Sequence, residues 1–191
     1  MKLLGSTTSP YVRRIRLYLY DKEVEFVNLN IFNPQDRALL TAYNPAQKIP
    51  VLIDDDVCVN DSGVIYRYLT NKFAHGVLSW HQENLLTMID AANDSMVSIL
   101  LLSRSEIDVK QDGLFFNLQQ ERVENVLESL NQAVDSGDFD QWHYPSMSLF
   151  CLLDWLLFRD VFQWDHYNSL IDFYKKAKDQ RGVQETDPRK N

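Results

Sequence analysis

The sequence predicts an α/β domain over residues 1–74, in the order β-α-β-α-β-β-α, followed by an all-helical bundle over residues 81–191. Three observations predict it. Short β-branched or alternating runs occur only near the N-terminus, at Lys2–Gly5, Val24–Leu29, Ile49–Ile53 and Val57–Val59. Helical periodicity separates the first two of these runs, which is the pattern of a parallel pair with a crossover helix. Beyond Phe73–Trp80 strand signals vanish and only helical spacing remains.

Each element has a local reason. The apolar run Lys2–Gly5 ends in Gly5 and the hydroxyl cluster Ser6-Thr7-Thr8-Ser9, so a strand runs into a polar loop. Pro10 suits the first position of a helix, and Tyr11, Ile15, Tyr18 and Leu19 recur at helical spacing after it. Asn30–Pro34 reads as a loop, and Asp36–Tyr43 as a short helix at best. Asp54-Asp55-Asp56 between two apolar runs predicts a hairpin. Val64, Ile65, Tyr68 and Leu69 place an amphipathic helix in Asn60–Lys72. In the second domain Trp80–Ser103 and Leu114–Val134 are long helices and Tyr167–Lys178 a short one. Ser146–Phe162 is apolar on all sides, as a buried central helix would be.

Composition bounds the function. Of 191 residues, 45% are hydrophobic and 24% charged, ordinary values for a globular chain able to bury a core. The net charge is −8, and residues 81–191 hold ten basic against 19 acidic side chains. That balance argues against general binding to a phosphate backbone, so no nucleic-acid partner is expected. Residues 1–80, with nine basic and eight acidic groups, are the better place for an anionic small ligand. Cys58 and Cys151 both sit in apolar stretches and read as buried, reduced thiols. No metal-ligand spacing exists among the cysteines and four histidines, so no metal is expected. No signal peptide is recognised, and no run is read as long enough to span a bilayer, so the expected location is cytoplasmic.

Three features carry chemistry. Ser9 precedes Pro10 at a strand-to-helix junction, where unpaired backbone N–H groups and the helix dipole stabilise an anion. Pro50 opens the third strand, and a cis Ile49–Pro50 bond would turn the Ile49 N–H and C=O outward, towards an extended peptide. Asp61-Ser62 opens another helix. There a carboxylate could receive an ammonium, while Ser62 and the helix N-terminus receive a carboxylate. Such a pair suits the amino-acid end of a γ-glutamyl group. The simplest alternative for Ser9, Asp61 and Ser62 is plain helix capping.

In this order and spacing, MKLLGSTTSPYVRRIRLYL and NPAQKIPVLIDDDVCVNDSGVIYRYL resemble the thioredoxin-like N-terminal domain of cytosolic glutathione transferases. LLFRD and QRGVQETDP resemble their helical domain, so the resemblance spans nearly the whole chain. It is strongest to small bacterial members with an S-P-[FY]-V-R motif. The resemblance implies that Ser9 meets the glutathione sulfur, with Ser6, Thr7 and Thr8 as fallback hydroxyls and Tyr11 a weaker one. It implies that Ile49 pairs with the cysteinyl part next to a cis Pro50, that Asp61 and Ser62 hold the γ-glutamyl group, and that Lys48 takes the glycyl carboxylate. Gln47 stands where the family commonly has Gly. Serine in place of cysteine at position 9 excludes a mixed disulfide there.

The implied activity is conjugation of glutathione, as co-substrate, to small hydrophobic electrophiles by a homodimer. The implied electrophile pocket involves Tyr11, Met96, Leu100 and Arg104. Arg13, Arg14 and Arg16 read as a solvated or dimer-facing cluster, and the tryptophans as packing groups. The family's capping box before its buried helix is absent at His143-Tyr144-Pro145-Ser146, which leaves Ser146 to cap. Two other activities fit the same resemblance: a non-catalytic interaction protein similar to the stringent starvation proteins, and a glutathione-dependent isomerase or dehalogenase.

Overall fold

The computed structural model describes residues 1–190 and divides the chain into two compact units. The first comprises Met1–Val77 and the chain from Arg181 onward; the second is Leu78–Gln180.

The first unit runs β1 (Lys2–Gly5), α1 (Pro10–Tyr18), β2 (Glu25–Asn28), α2 (Pro34–Tyr43), β3 (Val51–Asp54), β4 (Val57–Asn60) and α3 (Ser62–Lys72). The sheet order is β2-β1-β3-β4. β1 and β2 are parallel, joined through α1, and the other pairings are antiparallel. Leu3 and Leu4 are both buried, and neighbouring strand positions face opposite sides, so helices cover both faces of the sheet. Leu4, Leu29, Leu40 and Val51 form one apolar cluster on α2. At Gly5 a Cβ would lie 2.5 Å from Val12 Cγ2, so only glycine lets α1 approach the end of β1 this closely.

Local chemistry sets the boundaries. Pro34 and Pro10 each occupy the first turn of a helix whose cap, Asn33 or Ser9, accepts a backbone N–H. α2 is therefore a full ten residues, longer than its weak periodicity suggested. β3 begins at Val51, not Ile49, because Pro50 has no N–H for the ladder.

The second unit contains α4 (Trp80–Arg104), α5 (Leu114–Asp135), α6 (Tyr144–Arg159) and α7 (Asn168–Ala177). Ser79 and Gln82 form a reciprocal capping box that starts α4. α6 is buried from Tyr144 to Leu156 except at Met147, as its all-round apolar sequence requires. It packs on α4 and α7, while α5 packs on α4 and α7.

Six expectations need correction. His143 caps α6: its Nδ1 accepts from the Ser146 N–H at 3.2 Å. Ser146, in the first turn, instead donates to Gln141 O at 2.6 Å. Cys58 is exposed, because it lies on the edge strand β4 with its side chain off the core. Trp80 is 87% exposed and packs on little within this chain. By length and composition alone α4 could cross a membrane, although here it is a bundle helix packed on α5 and α6. Arg13 and Arg14 are buried, not solvated. The segment from Arg181 clusters with the first unit and not with the helices, since Arg13 binds it directly: Nη2 donates to Val183 O at 3.0 Å and Nε to Thr186 Oγ1 at 3.3 Å.

One ion pair ties α3 to the sheet. Asp54, at the end of β3 and 5% exposed, accepts from the Tyr68 hydroxyl at 2.6 Å and from Lys72 Nζ. The Lys72 ammonium, then the Tyr68 hydroxyl, hold its carboxyl below the usual range. A depressed carboxyl contributes fully above its unfolded value, about 4, and the contribution is lost as pH falls through the folded value. Asp54→Asn should therefore lower stability at neutral pH by about 1–3 kcal/mol in urea unfolding. It should also flatten the acid side of the stability profile, and an unchanged acid side would remove Asp54 from this role.

Candidate functional site

Strand register brings the three sequence features to one end of one sheet. Leu4 pairs with Val51, so the loop that follows β1 lies beside the residues that precede β3. Val51 pairs with Asn60, so the residues that follow β4 lie at the same end. Ser9, Ile49-Pro50 and Asp61-Ser62 thus sit at the ends of three adjacent strands. Two strand spacings measure about 10 Å, and an extended tripeptide spans about the same.

Ser9 occupies the N-cap of α1 in extended conformation. Its Oγ accepts from Val12 N–H at a long 3.4 Å. Its O–H has no acceptor among the described residues, so the hydroxyl can donate outward. The fallback hydroxyls are differently placed. Ser6 Oγ and Thr8 Oγ1 lie 3.2 Å apart and bond to each other, and Thr7 is buried.

The Ile49–Pro50 bond is cis. Neither the N–H nor the C=O of Ile49 enters a hydrogen bond among the described residues. A donor and an acceptor on one residue are what an added peptide strand pairs with. The approach to this residue is fixed by Asn44, whose Nδ2 donates to Lys48 O at 2.8 Å. Gln47 has φ of 57°, the left-handed region that explains why Gly is common there. It is held by Arg37, which donates to Gln47 Oε1 at 3.0 and 2.7 Å. Lys48 is exposed beside it.

Asp61 caps α3 through one oxygen: Oδ1 accepts from Gly63 N–H at 2.8 Å and Val64 N–H at 3.2 Å. Oδ2 accepts no hydrogen bond among the described residues. Capping and ligand binding are thus compatible in one carboxylate. Asp61 also has φ of 74° and ψ of 137°, a conformation that costs a non-glycine residue about 1–3 kcal/mol. Ser62 is buried, and its Oγ accepts from Arg14 Nη2 at 2.7 Å. Arg14, at 2% exposure, also stacks its guanidinium over the Tyr11 ring at 5.0 Å.

Arg14 carries no local sequence signal of a site role. Its buried guanidinium backs Ser62 at the N-terminus of α3. Position alone could have raised the question of burial, since Arg14 lies one residue from Arg13 on a helix whose apolar face also carries Val12 and Ile15.

The proposed electrophile residues fall in different units. Tyr11 is half-buried on α1 of the first. On α4 of the second, Met96 is buried, Leu100 half-buried and Arg104 exposed. A separate open furrow of about 460 Å³ lies between α4 and α5, lined by Met88, Leu118, Glu121, Arg122, Asn125 and Val126. It holds none of the residues singled out above. No group of three or more His, Cys, Asp or Glu suited to a metal occurs among the described residues.

Residues 3–76 match the family described as "Glutathione S-transferase, N-terminal domain". The chain is similar to the Escherichia coli (strain K12) protein named "Uncharacterized GST-like protein YibF", 28% identical over 174 residues, 84% of each chain. It is 37% identical over 82 residues to glutathione S-transferase U2 of Arabidopsis thaliana, which covers 42% of this chain and 36% of that one. Among solved structures it superposes on a glutathione S-transferase of Methylobacillus flagellatus KT with glutathione bound, at TM-score 0.85 and 25% identity over 98% of both chains. The chain has the glutathione transferase fold, a thioredoxin-like domain followed by a helical one. These matches show a chain similar to glutathione transferases.

Asp61→Asn keeps a side-chain cap but removes the charge. Stability should stay within about 0.5 kcal/mol, while calorimetry should find glutathione bound about tenfold more weakly. Equal affinities would leave Asp61 with capping alone.

Proposed function

We propose that this chain is a glutathione transferase that ionises the thiol of bound glutathione at Ser9 and conjugates it to small hydrophobic electrophiles. The observation that carries the proposal is the Ser9 hydroxyl, without an acceptor among the described residues, on the same sheet end as the unpaired Ile49 backbone and the Asp61–Ser62 helix start. The tripeptide would lie edge-on along Ile49. Its γ-glutamyl ammonium would meet Asp61 Oδ2, its γ-glutamyl carboxylate would meet Ser62 and the α3 N-terminus, and Lys48 would face the glycyl carboxylate. That orientation directs the sulfur to the first turn of α1.

The chemistry is electrostatic. A free thiol has a pKa near 8.5, so only about 3% is thiolate at neutral pH. A hydrogen bond to a charged acceptor contributes about 1.5–3 kcal/mol, and about 1.4 kcal/mol corresponds to one pKa unit. The Ser9 hydroxyl and the α1 dipole together would lower the bound thiol by roughly one to two units. The thiol proton leaves to solvent. The thiolate then forms a C–S bond to the electrophilic carbon; an aryl halide expels its halide with the electron pair, whereas in an enal the C=C pair moves into the carbonyl system and the product takes up a proton from solvent.

On the family resemblance, Tyr11 is the residue of the first unit proposed to meet the electrophile. A cytoplasmic homodimer with a detoxifying role is part of the same proposal. Exposed Leu101, Leu114, Phe115 and Leu118 on α4 and α5 support a partner-covered surface.

Ser9→Ala should reduce kcat at neutral pH by at least about tenfold, with glutathione affinity changed by less than about threefold. Steady-state assays over a panel of aryl halides and enals, with calorimetry for binding, measure both. Unchanged turnover would transfer the role to backbone dipoles. Glutathione binding with no turnover on any electrophile would favour the non-catalytic reading.

A further inference from the structure

The chain from Arg181 returns to the first unit and docks on the helix that carries Ser9. Gly182–Thr186 forms a single turn: Thr186 N–H donates to Gly182 O at 3.0 Å and Thr186 Oγ1 donates to the same oxygen at 2.8 Å. Into this turn reaches Arg13, 4% exposed, through the two bonds to Val183 O and Thr186 Oγ1. Val183 and Thr186 are themselves buried. The turn is pinned again at the far end of α1. Gly182 has φ of 80°, and a Cβ there would lie 2.8 Å from the Tyr20 ring. Arg181 Nη2 pairs with Asp21 Oδ1 at 2.6 Å.

Arg13 is also part of the Ser9 turn. Its backbone N–H donates to Ser9 O at 3.0 Å and so closes the first turn of α1. One residue therefore links the cap, through its main chain, to the C-terminal turn, through its guanidinium. A buried cation is held where its hydrogen-bond partners are, because leaving it unpaired is costly. Hydrogen-bond strength at the cap depends steeply on distance and angle.

We propose that the Gly182–Thr186 turn is a positioning clamp for the thiol site, acting through Arg13 to fix where the Ser9 hydroxyl points. This rests on the reading of Ser9 as the group that meets the glutathione sulfur. Arg13 and Thr186 are positioning residues; neither is placed against the ligand.

The test uses the full chain with Thr186→Val, Thr186→Ser and Arg13→Lys. The readouts are glutathione affinity by calorimetry and the pKa of the bound thiol from its ultraviolet thiolate absorbance. Thr186→Val and Arg13→Lys should raise that pKa by about half a unit or more, with affinity within about twofold. Thr186→Ser should restore the native value. If either of the first two fails to fold, Arg181→Gln and Tyr20→Leu loosen the clamp from its exposed end and should raise the pKa in the same direction. A thermal midpoint that falls while the thiol pKa stays native would overturn the clamp and leave the turn purely structural. Absence of glutathione binding by the native chain would instead overturn the functional reading itself, and the clamp with it.

Discussion

The pairing of Val51 with Leu4 on one side and Asn60 on the other is the constraint on which the site depends. It places three unrelated loops at one end of the sheet, each at the end of its own strand. A register slip of one residue would turn every side chain of β3 to the opposite face, where each would meet the wrong packing partners. Gly5 and Pro50 then set how the chain leaves that end: Gly5 lets α1 approach, and Pro50 keeps Ile49 out of the ladder.

Buried cations complete the arrangement. Arg14 backs Ser62, and Arg13 joins α1 to the Gly182–Thr186 turn. The opposite end of the sheet is closed by the Asp54, Tyr68 and Lys72 cluster, which fastens α3 without entering the site.

Elements with strong local signals could be read from the residues alone. The β1–α1 junction follows from Gly5 and Pro10, the hairpin from three aspartates between apolar runs, and α6 from an apolar surface on all sides. Ser9, Ile49, Pro50, Asp61 and Ser62 are likewise visible as local features, and register places them at one end of the sheet. What local pattern could not show was burial created by distant partners. Arg13 is buried because Val183, 170 positions away, accepts from it. Cys58 is exposed because β4 is an edge strand, which depends on strand order and not on its apolar neighbours. His143 took the cap that Ser146 was expected to fill because Pro145 already lies inside the helix.

Thiol activation at Ser9 requires a peptide docked edge-on against Ile49. A crystal structure with glutathione measures this directly. It should show the cysteinyl main chain paired with Ile49, the γ-glutamyl end at Asp61 and Ser62, and the sulfur within about 3.5 Å of Ser9 Oγ. A tripeptide bound elsewhere, or a sulfur directed away from the first turn of α1, would contradict it.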